Sequence, residues 1–422
     1  MARNMKDSGI EWIGEIPEGW EVGQIGQLYS ERRTKVSDKD YPPLSVTMKG
    51  ILPQLSTAAK TDAHDDRKLV CKGDFAINSR SDRRGSCGIS EQDGSISLIN
   101  TVLQPRGEMN PGYYNWLFHT SMFADEFYKW GHGIVDDLWT TGWSDMKKIS
   151  VPVPSKCEQK QLAEHLNFEC SNIDTILSKT RSSIEEYKKL KQAVITQAVT
   201  KGVRGKREMK DSGVEWIGKI PTAYSICKLK YLLKNPLKYG ANESGIPYSD
   251  SLPRYIRITD ITPDGNLKYT GKLSLSEESA KDYILEDGDI LFARSGATVG
   301  KTFIYYQSYG RSAYAGYLIK ASLNNKVSPK FVYYYTCSSL YEIWKNSIFI
   351  QSTIQNIGAD RYANLPVPVP KTLQEQEEIA DYLDAKCAEI DGLIAKKEQL
   401  VKELESYKKS LIYEVVTGKR EV

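Results

Sequence analysis

The sequence predicts an α+β chain. Two globular α/β-type domains are separated by two long antiparallel helices that form an intramolecular coiled coil, and the whole is pseudo-twofold symmetric. Three observations predict this. First, Met5–Pro17 (MKDSGIEWIGEIP) returns at Met209–Pro221 as MKDSGVEWIGKIP, identical at eleven of thirteen positions, so the chain is a duplication. Second, a VPVP run, Val151–Pro154 and again Val367–Pro370, precedes in each copy a helical pattern, Glu158–Thr200 and Glu375–Thr417, and the two patterns align without a gap. Third, residues 21–150 and 225–366, which lie between these repeated parts, share little sequence.

Composition sets the frame. A chain of 422 residues, 40% hydrophobic and 26% charged, is long enough for two domains or a little more and ordinary for a globular protein. Mean hydropathy is −0.47, and no apolar run reaches the ~18 residues of a membrane span. The opening MARNMKDSG has no apolar signal core, so a cytoplasmic location is expected. The seven cysteines are scattered without a CxxC pair, and the four histidines (His64, His119, His132, His165) show no HxxxH or HxH spacing. That argues against a disulfide framework, a zinc ribbon or a metal site. Net charge is only +3, so any nucleic-acid face must be a local patch.

Each helical pattern carries its own start signal. Ser155 with Glu158, and Thr372 with Glu375, form the S/T-x-x-E capping box just after a proline. Apolar residues then recur at alternating spacings of three and four. The stripe includes Leu162, Leu166, Ile173, Leu177 and Ile184 in the first copy, and Ile379, Leu383, Ile390, Ile394, Val401 and Leu404 in the second. Gly392 is the one breaker in the second helix. A helix of 43 residues is about 65 Å long, and a single-face stripe of that length needs a partner. The other copy is the simplest one; packing of each helix on its own domain is the alternative. Both helices run into GKRE, Gly205–Glu208 and Gly418–Glu421, so joining the last residue to the first would close a cycle of two equal units.

The two variable stretches keep common landmarks. Gly73–Arg80 (GDFAINSR) and Gly288–Ser295 (GDILFARS) each read as a turn, a strand and a polar loop. Pro111–Phe118 and Pro329–Tyr335 each read as a short helix begun by proline. Candidate DNA contacts lie in the loops: Asn78, Ser79, Arg80, Arg83 and Arg84, with Ser81, in the first, and Arg294, Ser295, Thr298 and Lys301 in the second. Arginine pairs with guanine, asparagine with adenine, and serine or threonine with phosphate or base edges. A solvated loop has the same composition; recurrence at the same place in both modules favours a functional reading. Gly296–Thr302 resembles a phosphate-binding loop but lacks the first glycine, because Ser295 stands there. Pro263–Asp264 with Lys268 is too incomplete for a nuclease centre, and no Ser/His/Asp set is seen.

Taken together, the segments DSGIEWIGEIP and DSGVEWIGKIP, two variable modules ending in VPVP, EQ-starting long helices and GDILFARSG resemble the specificity subunit of type I restriction–modification enzymes. The resemblance covers essentially the whole chain. It implies a first target recognition domain at residues 1–154 (with the repeated segment 5–20), a central long helix at 155–204, a second recognition domain at 205–370 (with the repeated segment 209–224) and a C-terminal long helix at 371–422. Each domain would read one half of a bipartite double-stranded DNA target. The coiled coil would set the spacer and dock two methyltransferase subunits, which bring S-adenosylmethionine and methylate adenine. Restriction subunits would use ATP and Mg to cut. No cofactor and no catalytic residue is expected in this chain. The first loop, INSRSDRRGSCG, departs from the FARSG form found in the second. Trp12, Ile13 and Ile16, matched by Trp216, Ile217 and Ile220, fit either internal packing or partner contact. A coiled-coil scaffold without DNA binding, or a self-contained DNA-modifying enzyme, are the competing functions.

Overall fold

The computed structural model describes residues 3–54, 65–80, 83–133, 139–262, 265–296, 298–350 and 356–422. His64, Ser81 and Pro263–Asp264 lie outside them. The chain falls into two compact units, Met1–Arg181 with Gln399–Val422, and Ser182–Glu398. Each long helix, Lys156–Lys201 and Leu373–Val416, gives one half to each unit.

In the first unit the repeated segment forms a hairpin, Met5–Asp7 against Glu15–Pro17. The strand that follows, Glu21–Gln24, pairs antiparallel with Ser150–Val153, which carries the VPVP run. Proline removes a backbone donor, and a two-stranded ribbon is where a strand tolerates that loss. Between these two strands lies the module. A four-stranded sheet has the order Cys87–Ile89, Phe75–Asn78, Asn100–Pro105, Tyr29–Glu31, and a three-stranded one has Gly94–Ile96, Arg67–Val70, Lys35–Val36. The helix Pro111–Phe118 starts at its proline, with the Asn110 side chain accepting the Tyr113 N–H. A core of Trp20, Tyr29, Phe75, Tyr113, Tyr114 and Phe118, all essentially without exposure, ties sheet to helix.

The second unit repeats this plan. Its hairpin is Met209–Asp211 against Lys219–Pro221, and Tyr224–Lys228 pairs with Pro366–Pro370. Lys238–Tyr239, Leu318–Ala321, Ile290–Ala293 and Thr302–Ile304 make one sheet. A second sheet has Ile246–Pro247, Leu273–Ser274, Arg254–Ile256 and Ser312–Tyr314, the last pair parallel. The helix Pro329–Thr336 is capped by Ser328. Ile13, Ile16, Ile217 and Ile220 are buried in the two cores, as is Trp12, while Trp216 is half-buried. These positions therefore serve internal packing first.

The antiparallel pairing that the stripes predict is present in both units. In the first, Asp174 meets Lys408 (2.6 Å) and Arg181 meets Glu405. In the second, Lys191 meets Asp391 (2.6 Å), Lys397 lies over the Tyr187 ring at 5.7 Å, and Arg204 meets Glu378. Of the predicted stripe, Leu162, Leu166, Ile173, Leu177, Ile184, Ile379, Leu383 and Ile390 are buried, and Ile394, Val401 and Leu404 are half-buried.

Each helix start is bolted to its own unit. Ser155 and Glu158 make both halves of the capping box, Glu158 N–H to Ser155 Oγ at 3.3 Å and Ser155 N–H to Glu158 Oε2 at 3.2 Å. The Glu158 carboxylate also pairs with Arg3 and accepts the Trp20 indole N–H at 3.2 Å. Burial works against its charge, but these donors hold its carboxyl below the usual range. At the second helix Thr372 accepts the Glu375 N–H at 3.4 Å. The Glu375 carboxylate turns instead to Arg207 and to the Tyr224 hydroxyl (2.9 Å). Arg3 and Arg207 each precede the repeated methionine by two residues, and Trp20 and Tyr224 follow it equivalently, so the same triad is built twice.

The end of the other helix arrives at each triad through a left-handed glycine, Gly418 (φ 70°) in the first unit and Gly202 (φ 74°) in the second. A Cβ on Gly418 would lie 2.5 Å from Pro17 and 3.0 Å from Trp20; one on Gly202 would lie 2.7 Å from the Tyr224 hydroxyl.

Candidate nucleic-acid interface

The two GD landmarks fold alike. Gly73 and Gly288 take positive φ, and the aspartate after each closes the turn: Asp74 accepts the Cys71 N–H at 2.9 Å and Asp289 the Glu286 N–H at 2.8 Å. Asp74 is neutralised by Arg32, with Nε to Oδ2 at 2.6 Å. Asp289 has Lys320 at 3.5 Å and the Ser322 hydroxyl at 2.5 Å. Burial dominates there and pushes the Asp289 carboxyl up. A strand follows each turn, Phe75–Asn78 and Ile290–Ala293.

The equivalence extends past the strands. Ser79 N–H donates to Ile99 O (3.2 Å) and Ser79 O accepts from Thr141 N–H (2.9 Å). Arg294 N–H donates to Tyr317 O (3.0 Å) and Arg294 O accepts from Ile357 N–H (2.8 Å). One residue on, Arg80 bridges Thr140 and Ser295 bridges Asn356, both antiparallel. The same backbone frame therefore presents Ser79 then Arg80 in one module and Arg294 then Ser295 in the other.

The predicted contacts divide by exposure. Asn78 and Ser79 are buried, and their side chains serve the fold: Asn78 Oδ1 accepts the Arg80 N–H at 3.0 Å, and Ser79 shares a 2.8 Å hydrogen bond with Thr101. Arg80, Arg83 and Arg84 are exposed. Arg84 pairs with Asp125 and stacks 5.1 Å from the Tyr128 ring centre, and the Tyr128 hydroxyl donates to Arg80 O at 2.8 Å. In the second module Arg294, Ser295 and Thr298 are half-buried and Lys301 is exposed. The strands on either side, Ile290–Ala293 and Thr302–Ile304, form an antiparallel hairpin, Ile290 opposite Ile304. A phosphate-binding loop would lead from a strand into a helix instead.

Sequence reasoning missed the aromatic side chains beside these arginines. The Arg294 guanidinium lies over the Tyr239 ring, 4.9 Å from its centre. Tyr317 is 64% exposed and Tyr269 87%, and Lys272 lies between the Tyr248 and Tyr269 rings at 5.0 and 5.8 Å. Lysine or arginine interleaved with exposed aromatic rings suits a nucleic-acid face. No linear motif links Tyr239 to Arg294; a cross-strand pairing brings them together.

Each unit also has a cleft beside its paired helices, and the two clefts fall on equivalent residues. In the first, of about 600 Å³, Trp116, Asn167, Cys170 and Asp174 take part; in the second, of about 650 Å³, Tyr334, Asp384, Cys387 and Asp391. The Trp116 N–H donates to Asn167 (2.9 Å) and the Tyr334 hydroxyl to Asp384 (2.6 Å). Cys337 also lines the second cleft, and burial pushes its thiol up to about 11. A thiol so held is protonated and inert at neutral pH. Among the described residues no His/Cys/Asp/Glu group is placed to hold a metal ion, and no helix is long and apolar enough to cross a membrane.

Two modules thus share a backbone frame but present different loops, each carried on an antiparallel helix pair. Comparison with known proteins finds this plan in DNA specificity subunits. A family model described as the type I restriction modification DNA specificity domain matches residues 248–403. The type I restriction enzyme MjaVIII specificity subunit of Methanocaldococcus jannaschii is 24% identical, over 96% of this chain and 93% of that protein. The EcoKI specificity subunit of Escherichia coli K12 is 22% identical, over 90% and 84%. Among solved structures, one described as showing complex assembly and conformational transition of the type I R-M system superposes with a TM-score of 0.75 at 14% identity, covering 96% of this chain and 99% of that one. The HsdS subunit from Thermoanaerobacter tengcongensis gives 0.54, also at 14% identity, covering 96% and 98%. Over nearly its whole length the chain is similar to type I restriction enzyme specificity subunits, and it shares their fold.

Proposed function

We propose that this chain supplies the DNA specificity of a type I restriction–modification complex and carries out no chemistry itself. Each module reads one half of a bipartite double-stranded target. The observation that carries this is the shared frame at residues 79–80 and 294–295, which holds the backbone constant while the loops it presents differ. Arg80, Arg83 and Arg84 in the first module, and Arg294, Ser295, Thr298 and Lys301 in the second, are the contacts this reading assigns, with Asn78 and Ser79 shaping the first loop from below.

The twin clefts suit two copies of one partner, which supports docking of two methyltransferase subunits. In this reading those partners bring S-adenosylmethionine and methylate adenine at N6, restriction subunits bring ATP and Mg, and the assembly works in the cytoplasm. The paired helices act as the ruler between half-sites.

Methylation-site sequencing of a host genome with and without this chain tests the reading. The expected result is one two-part motif that disappears with the chain. A single contiguous motif, or methylation by the purified chain alone, would overturn it. Deleting four residues, close to one turn, from both long helices removes about 6 Å of rise per helix. The spacer should then shorten by about one to two base pairs, at 3.4 Å each, with both half-sites kept. An unchanged spacer would refute the ruler.

A further inference from the structure

We propose that Arg294, held by Tyr239, is a fixed contact to a DNA phosphate that seats the second module on the duplex; this rests on the DNA-reading role above. The backbone of Arg294 is clamped from both sides, through Tyr317 O and the Ile357 N–H. Its guanidinium lies over the Tyr239 ring, 4.9 Å from the centre, and the Tyr239 hydroxyl in turn accepts the Ala359 N–H at 3.0 Å. Backbone, ring and guanidinium therefore form one rigid piece.

Beyond the Tyr239 ring, that guanidinium is left open to an outside charge. Arg294 Nε is buried without a hydrogen-bond partner, and among the described residues no carboxylate pairs with the guanidinium. A partly buried cation without a counter-charge costs stability, and an outside anion would recover it. The neighbours suit an anion: Lys301 is exposed and Gly296, at φ 82°, is exposed, so backbone can approach closely.

Depth separates a phosphate from a base. Base edges lie at the floor of a major groove about 8.5 Å deep, so a reader must protrude. Arg294 is recessed at the foot of its loop, where groove-rim phosphates come within reach. Phosphate contacts fix register without carrying sequence information. The first module has Ser79 at this position, turned inward to Thr101, so the contact belongs to the second half-site alone. Tyr239 is a positioning residue acting through Arg294.

The test uses the full chain assembled with its methyltransferase subunits. Duplexes carry the bipartite target, or that target with each base pair of the second half-site changed in turn. Arg294→Ala should weaken binding about tenfold by the same factor on every duplex, and lower the slope of log affinity against log salt by about one. Arg294→Lys should keep that slope while losing several-fold in affinity. Tyr239→Ala should reproduce part of the Arg294→Ala loss, and Tyr239→Phe, which keeps the ring but not its bond to the Ala359 N–H, should lose less. The footprint over the first half-site stays intact in all four, which reports a folded chain. Relaxed preference at one base pair after Arg294→Ala would make Arg294 a base reader and overturn the proposal, as would unchanged affinity and slope. If the unaltered assembly ignores the bipartite duplex, the function proposed above fails, and this contact with it.

Discussion

In the second unit the Glu375 side chain is 7% exposed and its partner Arg207 17%; in the first, Glu158 is 28% exposed and Arg3 32%. The residues are equivalent and the helix starts they secure are equivalent, yet the second pair is the more deeply enclosed. The difference follows from what stands behind each glutamate. Trp20 offers Glu158 a single indole donor, and Ser155 completes the capping box, so the carboxylate stays near the surface. Tyr224 offers Glu375 a hydroxyl, and Arg204 adds a second cation at 3.8 Å, drawing the carboxylate inward. A repeated motif fixes which groups meet; depth decides how much the meeting is worth.

The largest expected effect tests that contrast directly. Glu375→Ala removes a buried carboxylate and leaves the half-buried Arg207 and the Tyr224 hydroxyl without it, which should cost about 3 kcal/mol. Glu158→Ala should cost under about 1 kcal/mol, since its ion pair is partly solvated. Urea unfolding followed by hydrogen exchange in each unit reads the two costs separately, and equal losses would erase the distinction. A middle-sized effect sharpens it. Ser155→Ala removes the side-chain half of a capping box, the Oγ that accepts the Glu158 N–H, and should cost about 1 kcal/mol. Thr372→Ala, where Glu375 is engaged elsewhere, should cost less; the reverse order in thermal melts would show that the second cap carries the load.

The smallest effect is in pH. The Glu158 carboxyl is held below its unfolded value, so its contribution is present above about pH 4.5 and lost as pH falls through the lower folded value. Stability of the first unit should therefore decline with acid below about pH 4.5, and Glu158→Gln should flatten that decline. A wild-type curve already flat over that range would count against the assignment.

Much of this was legible because its signals are local. Capping boxes, proline-started helices and the GD turns each declare themselves within four residues. The doubled helical stripe needed only periodicity. The strands that lead into the loops fall where the sequence places them, but Asn78 and Ser79 read as surface because a polar pair after a strand looks like its loop. In fact the strand's hydrogen bonding continues through Ser79 and carries both residues inward. Tyr239 was out of reach for another reason. It meets Arg294 only through the sheet order Lys238–Tyr239, Leu318–Ala321, Ile290–Ala293, which no short pattern encodes. The VPVP runs were read as boundaries, and their pairing with the strand after each repeated segment required the fold.

That last pairing has an evolutionary consequence. Gln24 sits opposite Ser150, and Lys228 opposite Pro366, so each module leaves the scaffold and rejoins it at neighbouring, paired residues. A segment whose two ends already touch is a cassette. Recombination between these chains has a natural pair of breakpoints there. A foreign module joined at both breakpoints would inherit the seam, the caps and the helix pairing, so a double crossover exchanges one module and leaves the frame that carries it in place.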